Sequence, residues 1–244
     1  MPDFLVTLLP LLGLMMVHLL GYRLKFLEGM PRSVWLSGAG GVSVAYVFLH
    51  LFPELQEGQE HVQKAAQNQG LYFLEHHMYL MSLIGLVMFY GIERMAIKTR
   101  KGGKGDSDET PASVFWVHMG SFALYNALIG YLLHKREEQP AAEILFYWVA
   151  MALHFLVNDF GLREHHKKRY QHVGRWLLVT ALAVGWVMGL LLEISDAATA
   201  LLLAFLAGGV VLNVLKEELP EERESKFSAF LIGATAYSVL LLLL

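Results

Sequence analysis

Apolar runs long enough to cross a lipid bilayer recur along the chain and constrain its fold more than any other feature. A helix needs about 20 apolar residues to cross roughly 30 Å of hydrocarbon, and 55% of the chain is hydrophobic. The sequence therefore predicts an all-α integral membrane protein, with one transmembrane domain over residues 1–244. The eight predicted spans are residues 4–20, 33–52, 72–97, 112–133, 141–162, 175–193, 197–215 and 227–244. The first run lacks a basic region before it and a small-residue cleavage site, so we expect a retained helix.

The basic residues in the loops predict the orientation of these spans. Of the 19 Lys and Arg residues, all but Lys64, Lys135 and Arg136 fall in loops on one side. The positive-inside rule assigns that side to the cytoplasm. Both termini are then outside, in what we expect to be the plasma (inner) membrane. Residues 98–110 (KTRKGGKGDSDET) join spans 3 and 4 on the cytoplasmic side, and their glycines and charges predict a flexible linker.

The composition limits which side chains could bind a metal ion and which molecules the protein could bind. The chain has no cysteine, so a metal ion would be held by His, carboxylate, amide, Met or water. The net charge of −3 and the scattered basic residues predict no nucleic-acid binding. Membrane lipid is the expected surrounding. The small-residue pairs Gly185 with Gly189 and Ala204 with Gly208 permit close helix packing, within the chain or in a homodimer.

Spans 2 and 7 contain a short internal repeat. Residues 39–54 read AGGVSVAYVFLHLFPE and residues 207–221 read AGGVVLNVLKEELPE, so both open with AGGV and close with Pro-Glu. The charge count makes the two spans run in opposite directions. Inverted repeats of this kind build many transporters, although glycine-rich packing helices also resemble one another by chance.

Polar residues interrupt the apolar runs of spans 4 and 5. Span 5 carries His154, Asn158 and Asp159, and polar groups at that depth are costly and usually functional. Depth counted from the cytoplasmic ends places Ser121 level with His154 and His118 roughly level with Asn158. The polar residues of span 4 are His118, Ser121, Tyr125 and Asn126. If the two antiparallel helices face each other with these residues, they form a site that could hold a divalent ion weakly. The alternative is that these residues only hydrogen-bond between the helices.

The ends of the spans carry further candidate ligands. On the outer side we predict an acidic vestibule that concentrates cations. It comprises His50, Glu54, Glu75, His76 and His77. On the cytoplasmic side Glu164, His165 and His166 are candidates for the exit of the ion, or for a lipid-headgroup patch with the neighbouring lysines.

These features together resemble the ZIP family of divalent-metal transporters. The likeness covers eight spans, both termini outside, a cytoplasmic linker after span 3 and inverted outer repeats. Its most specific pieces are the HLFPE ending of residues 50–54, similar to the family's HLxPE, and the repeat in span 7. The resemblance implies a 3+2+3 arrangement of helices and a metal pathway between spans 4 and 5. It also implies a transported ion, most plausibly zinc, moving toward the cytoplasm.

The metal-binding motifs of that family are altered in this chain. Anchored on Gly130, the family's fourth-helix His-Asn-x-Pro-Asp/Glu-Gly becomes Ser121, Phe122, Leu124, Tyr125 and Asn126. In the fifth helix only His154 matches as it stands, with Asn158 at the last ligand position. The bridging carboxylates and both prolines are absent. The resemblance therefore implies a reduced site of His118, His154, Asn158 and Asp159.

Two other functions remain open at this stage. The same polar residues suit a proton or monovalent-ion pathway, because histidine titrates near neutral pH, or a non-transporting relative that binds a partner or senses metal. An intramembrane zinc hydrolase would use the same residue types, with His50, His118 and His154 around zinc. The resemblance favours a transporter without enzyme activity.

Overall fold

The computed structural model describes residues 4–23, 33–67, 77–102, 112–136, 139–218 and 226–243. Over these residues the chain is helical and contains no strand. We number its α-helices in chain order. They are α1 (Phe4–Leu20), α2 (Val34–Tyr46), α3 (Phe52–Gln67), α4 (His77–Gly102), α5 (Ala112–His134), α6 (Ala141–Arg169), α7 (Arg175–Leu191), α8 (Asp196–Glu218) and α9 (Phe227–Leu242).

Helix bounds lie close to the predicted apolar runs, but three helices extend beyond them. A π-helical turn, Val47–Leu51, joins α2 to α3, so helix continues to Gln67 past the predicted end at residue 52. The polar end of α4 continues to Gly102, inside the segment predicted as a linker, and residues 103–110 of that segment lie outside the described residues. Apolar run length fixes the membrane-embedded part of a helix but not a polar extension from it.

The third extension is in α6, which reaches Arg169 where the apolar run ends at residue 162. Within it Lys167 has φ 46° and ψ −123°, values that interrupt helical geometry. Positive φ is unfavourable for a residue with a Cβ, so the direction of the chain changes there at a local cost. A π-helical turn, Tyr170–Gly174, then leads into α7.

Five helical stretches among the described residues are long and apolar enough to cross a membrane. They are Val34–Glu60, His77–Met95, Ala112–His134, Ala141–Leu191 and Asp196–Lys216. The fourth of these contains both α6 and α7. Two shorter apolar helices, Leu5–Leu20 and Phe227–Leu242, complete the set. The chain is thus a helical protein with the apolar helices of an integral membrane protein.

Glycines hold three pairs of helices in close contact. In the pair α2–α9, a side chain at Gly41 would collide with the carbonyl oxygen of Phe230, and one at Gly233 with that of Gly38. In the pair α4–α8, Gly208 meets Ser82 and Gly85 meets Phe205 in the same way. Backbones approach this closely only where no Cβ intervenes.

The third close pair, α5–α7, repeats this geometry with Gly130 against Leu182 and Gly185 against Ala127. The three pairs share one offset: each glycine lies three residues after the residue that its partner glycine touches. Gly233, for example, follows Phe230, which Gly41 touches. Gly41 of α2 therefore corresponds to Gly208 of α8. The alignment of the two AGGV sequences instead pairs Gly41 with Gly209. The correspondence in the structure is shifted by one residue, because the packing of the helices and not the identity of the residues defines it.

Candidate functional site

Polar side chains along one face of α5 reach polar side chains along one face of α6, although the backbone of α5 packs most closely against α7 and that of α6 against α1 and α2. On α5, His118, Tyr125 and Arg136 are spaced seven and eleven residues apart, so they share a face, with Arg136 just beyond the helix end. On α6, Tyr147 and His154 are seven residues apart. Each of the three α5 residues contacts α6, in the antiparallel order. We name the contacts outer, middle and inner after the predicted orientation.

The outer contact consists of Arg136, Glu54 and Tyr147. The Nη2 atom of Arg136 lies 2.5 and 2.8 Å from the two carboxylate oxygens of Glu54, and its guanidinium lies 4.3 Å from the ring centroid of Tyr147. Nη1 donates to Gln139 Oε1 at 3.0 Å. Arg136 is only 4% exposed. Burial is the largest single influence and lowers the pKa of this guanidinium, but Glu54, Tyr46 and Tyr147 together outweigh it and raise the pKa above its ordinary value.

The middle contact consists of Tyr125, His154 and Asn158. Tyr125 Oη lies 2.8 Å from His154 Nε2, and Asn158 Nδ2 lies 2.9 Å from the same nitrogen. All three side chains are buried. A nitrogen that accepts from an amide N–H is unprotonated, so His154 is neutral in this arrangement. Neutral imidazole is the form that binds metal ions.

A histidine of α1 joins this region from the side. His18 Nδ1 lies 2.9 Å from both carboxylate oxygens of Asp159, and its Nε2 lies 2.9 Å from Asn126 Oδ1. Asn126 Nδ2 donates to the carbonyl of Phe122, which fixes the amide with its oxygen toward His18. Both ring nitrogens therefore lie against side-chain oxygens, so His18 links α1 to α5 and α6.

The inner contact consists of Glu93, His118, His166 and Lys216. His118 Nδ1 lies 2.9 Å from His166 Nε2, and its Nε2 lies 3.0 Å from Glu93 Oε2. The other oxygen of Glu93 lies 3.1 Å from Lys216 Nζ. These residues come from α4, α5, α6 and α8, so one cluster joins four helices.

A cavity of about 280 Å³ lies against the outer contact. Besides Glu54 and Arg136, its wall carries His50, Glu57 and Glu143, and Glu57 is exposed. At the other end, the void beside His18 and Asp159 measures only about 10 Å³, the space of roughly one water molecule. The large cavity thus lies at the outer contact, and the small void lies beside the His18–Asp159 pair, where α6 and the turn into α7 form most of its wall.

The predicted vestibule and exit are distributed between these regions. His50 and Glu54 line the cavity, with 3.9 Å between them. His77 begins α4 and is half-buried, whereas Glu75 and His76 lie outside the described residues. Of the predicted exit residues, Glu164 is exposed, His165 is half-buried, and only His166 is buried, in the inner contact.

The predicted metal ligands do not lie together. His154 and Asn158 meet in the middle contact, but Asp159 pairs with His18, and His118 pairs with Glu93 and His166. Ser121 donates to the carbonyl of His118 within α5. The structure shifts the predicted register by one to two turns: Tyr125 instead of Ser121 meets His154, and α6 extends seven residues beyond residue 162. Within the described ranges, no three His, Asp or Glu side chains converge in a geometry that holds a metal ion.

Five residues of these contacts were not among the predicted site residues: His18, Glu93, Arg136, Tyr147 and Lys216. His18 interrupts the apolar run MMVHLL, so the criterion that selected His154 also applies to it. Glu93, Arg136 and Lys216 lie at the ends of their apolar runs, where charged residues are ordinary, and the sequence carries no signal that marks them.

Comparisons with protein-family models, with curated proteins and with solved structures found no match to this chain.

Proposed function

We propose that this chain is an eight-span membrane transporter of the ZIP type that moves a divalent metal ion, most plausibly zinc, toward the cytoplasm. The observation that carries the proposal is the convergence of Tyr125 and Asn158 on the Nε2 atom of His154, deep in the helix face below an open cavity. A neutral imidazole nitrogen with adjacent oxygen donors is a fit partner for zinc.

The helix pairs support the inverted-repeat part of this proposal. If spans 1, 2, 3 and 4 correspond to spans 6, 7, 8 and 5, the pair α2–α9 maps onto the pair α8–α4. Those two pairs have the same glycine contacts, at Gly41 with Gly233 and at Gly208 with Gly85. The pair α5–α7 likewise maps onto α6–α1, which also pack together. Transporters with such symmetry bind their cargo near the midplane between the halves.

The cargo site that we propose differs from the one expected at first, because it uses Tyr125 in place of His118 and Asp159. Rotation of the Asn158 amide would turn its oxygen toward the nitrogen of His154, so the site would offer one imidazole nitrogen and two neutral oxygens. No carboxylate belongs to it, and Asp159 is already paired with His18. Such a site binds a divalent ion weakly, which suits passage rather than storage.

Metal uptake into liposomes containing the purified protein tests this proposal. Zinc, iron, manganese and cadmium are compared, and His154→Ala is measured beside the parent and beside His172→Ala, a matched histidine that is exposed. We expect zinc uptake by the parent and by His172→Ala, with loss in His154→Ala. Normal uptake in His154→Ala would refute the site, and no uptake of any divalent ion would refute the function.

Proton conduction is the second candidate, and the His18 contacts are the observation that favours it. A doubly hydrogen-bonded imidazole between Asp159 and Asn126 is a group that can hold and release a proton inside the helix bundle. In liposomes loaded with a pH-sensitive dye, this function predicts proton flux without any divalent ion, and loss of that flux in His18→Gln. Flux that requires zinc would argue for the first candidate.

A further inference from the structure

Arg136 is a buried cation on the route from the outer cavity to the middle contact. Its guanidinium binds both oxygens of Glu54 and covers the ring of Tyr147. Tyr147 and His154 lie seven residues apart on α6, about 10 Å along the helix. An ion leaving the cavity for His154 along this face therefore meets Arg136 first.

The charge of Arg136 opposes that ion. A fixed positive charge in a low-dielectric region repels a second cation far more strongly than it would in water. The same charge neutralises Glu54, the carboxylate that closes the HLFPE sequence and lines the cavity. Three contacts hold the guanidinium in one place: Nη2 on both oxygens of Glu54, Nη1 on Gln139, and the guanidinium carbon over the ring of Tyr147. A lysine ammonium cannot reproduce this combination.

The cavity wall also contains groups that could release Arg136. Glu57 and Glu143 lie on the wall, and His50 lies 3.9 Å from Glu54. A cation that binds Glu54 removes the partner of Arg136, and a buried arginine without its carboxylate is strongly unfavourable where it lies. The arginine is thereby displaced by the ion that it had excluded.

We propose that Arg136 is the outer gate of the pathway: a tethered cation that occupies Glu54 when the pathway is closed and leaves it when a transported cation enters. This inference rests on the proposed function for the identity of the ion, but the gate itself is a property of the ion pair. It assigns Arg136 a positioning role, since the arginine acts by blocking the route and not by binding the cargo.

Thiol labelling tests the gate without any transported ion, because the natural chain has no cysteine. Met151→Cys places a reporter on α6 between Tyr147 and His154, at a position that is 2% exposed. The probe is a cationic, membrane-impermeant methanethiosulfonate added outside liposomes that contain the protein. The labelling rate is compared in the reporter alone and in the reporter with Arg136→Gln, Arg136→Lys, Glu54→Gln or the adjacent control Lys135→Gln.

Arg136→Gln is expected to raise the labelling rate about tenfold or more, since a buried charge-assisted contact exceeds the free energy of one tenfold step. Glu54→Gln should raise it similarly, Arg136→Lys should raise it less, and Lys135→Gln should leave it unchanged. Unchanged labelling in both Arg136→Gln and Glu54→Gln would overturn the gate, as would an equal rise in Lys135→Gln.

Two further measurements keep this test decisive. Labelling of Glu57→Cys, an exposed position on the cavity wall, reports whether each variant presents that side to the reagent, and tryptophan fluorescence reports whether the variant is folded. If Arg136→Gln fails that check, Arg136→Lys and Glu54→Gln decide the matter alone. Zinc uptake separates the two proposals: faster labelling without zinc uptake by the parent supports the gate and refutes the metal cargo, whereas zinc uptake with unchanged labelling does the reverse.

Discussion

The outer and inner contacts of the α5–α6 face each place a carboxylate against a cation, but their surroundings differ. At the outer end, Glu54 holds Arg136 beside a cavity of about 280 Å³. At the inner end, Glu93 lies between His118 and Lys216 and ties four helices together. On the proposals above, an ion from the cavity displaces the outer contact, whereas the inner contact opens only if helices move. In a transporter that alternates its access, this difference corresponds to a state open toward the outer side.

The largest effect that we expect from a substitution in these contacts is on the free energy of unfolding. Glu93→Ala leaves His118 and Lys216 without their shared carboxylate, and breaking a buried ion pair costs about 3 kcal/mol. Glu57→Ala, the matched carboxylate on the cavity wall, is exposed and should change the free energy of unfolding by about 0.5 kcal/mol or less. Unfolding in detergent, followed by tryptophan fluorescence, measures both. Equal losses would mean that the inner contact is no more structural than the outer wall.

The next effect is on access from the two sides of the membrane. Glu143→Cys on the cavity wall should react with an impermeant thiol reagent from outside, whereas Leu162→Cys, 2% exposed near the inner contact, should be protected from both sides. We expect rates that differ on the order of tenfold or more, because thiol reactivity requires exposure. Rapid labelling of Leu162→Cys from the cytoplasmic side would show that the inner end is open too.

The middle contact should respond less in stability than either comparison above. Tyr125→Phe removes one hydrogen bond to His154 and should cost about 1 kcal/mol. If Tyr125 supports the cargo site, zinc uptake should fall on the order of tenfold. Tyr90→Phe, which alters an exposed tyrosine, is the control. Uptake that is unchanged in Tyr125→Phe would limit the site to His154 and Asn158.

The smallest expected effect is that of alkaline pH on the outer contact. Glu54 raises the pKa of Arg136, so the guanidinium keeps its charge and its stabilising contribution below that pKa and loses them only at pH values above it. Protection of Met151→Cys, normalised to the labelling of Glu57→Cys, should therefore stay constant from about pH 7 to about pH 10. Protection that disappears within this range would indicate that another group, rather than Arg136, closes the route.

Much of the helical organisation could be predicted because it depends on local sequence. The apolar runs at residues 4–20, 112–133 and 175–193 lie within two residues of α1, α5 and α7. The polar extensions of α3, α4 and α6 were not predicted, since a helix that leaves the apolar region continues or ends according to its packing. The shift of one to two turns between α5 and α6 follows from such an extension.

For the candidate site, too, the sequence predicted several buried polar residues but not the contacts among them. Apolar surroundings marked His154, Asn158, Tyr125 and His118 as unusual, and all four are buried in polar contacts. Which of them meet was beyond the sequence, because each partner depends on the rotation and depth of two helices. His118 was expected near Asn158 and instead contacts His166, two turns further along α6.

Local sequence was enough to predict an all-helical chain with membrane-length apolar segments and several polar groups inside them. Hydropathy and helical period are properties of neighbouring residues, so neither needs the tertiary structure. The tertiary structure alone decided the partners: His18 with Asp159, 141 residues apart, and Arg136 with Glu54, 82 residues apart. A buried charge needs a partner wherever the fold can supply one, and the packing of distant helices selects that partner.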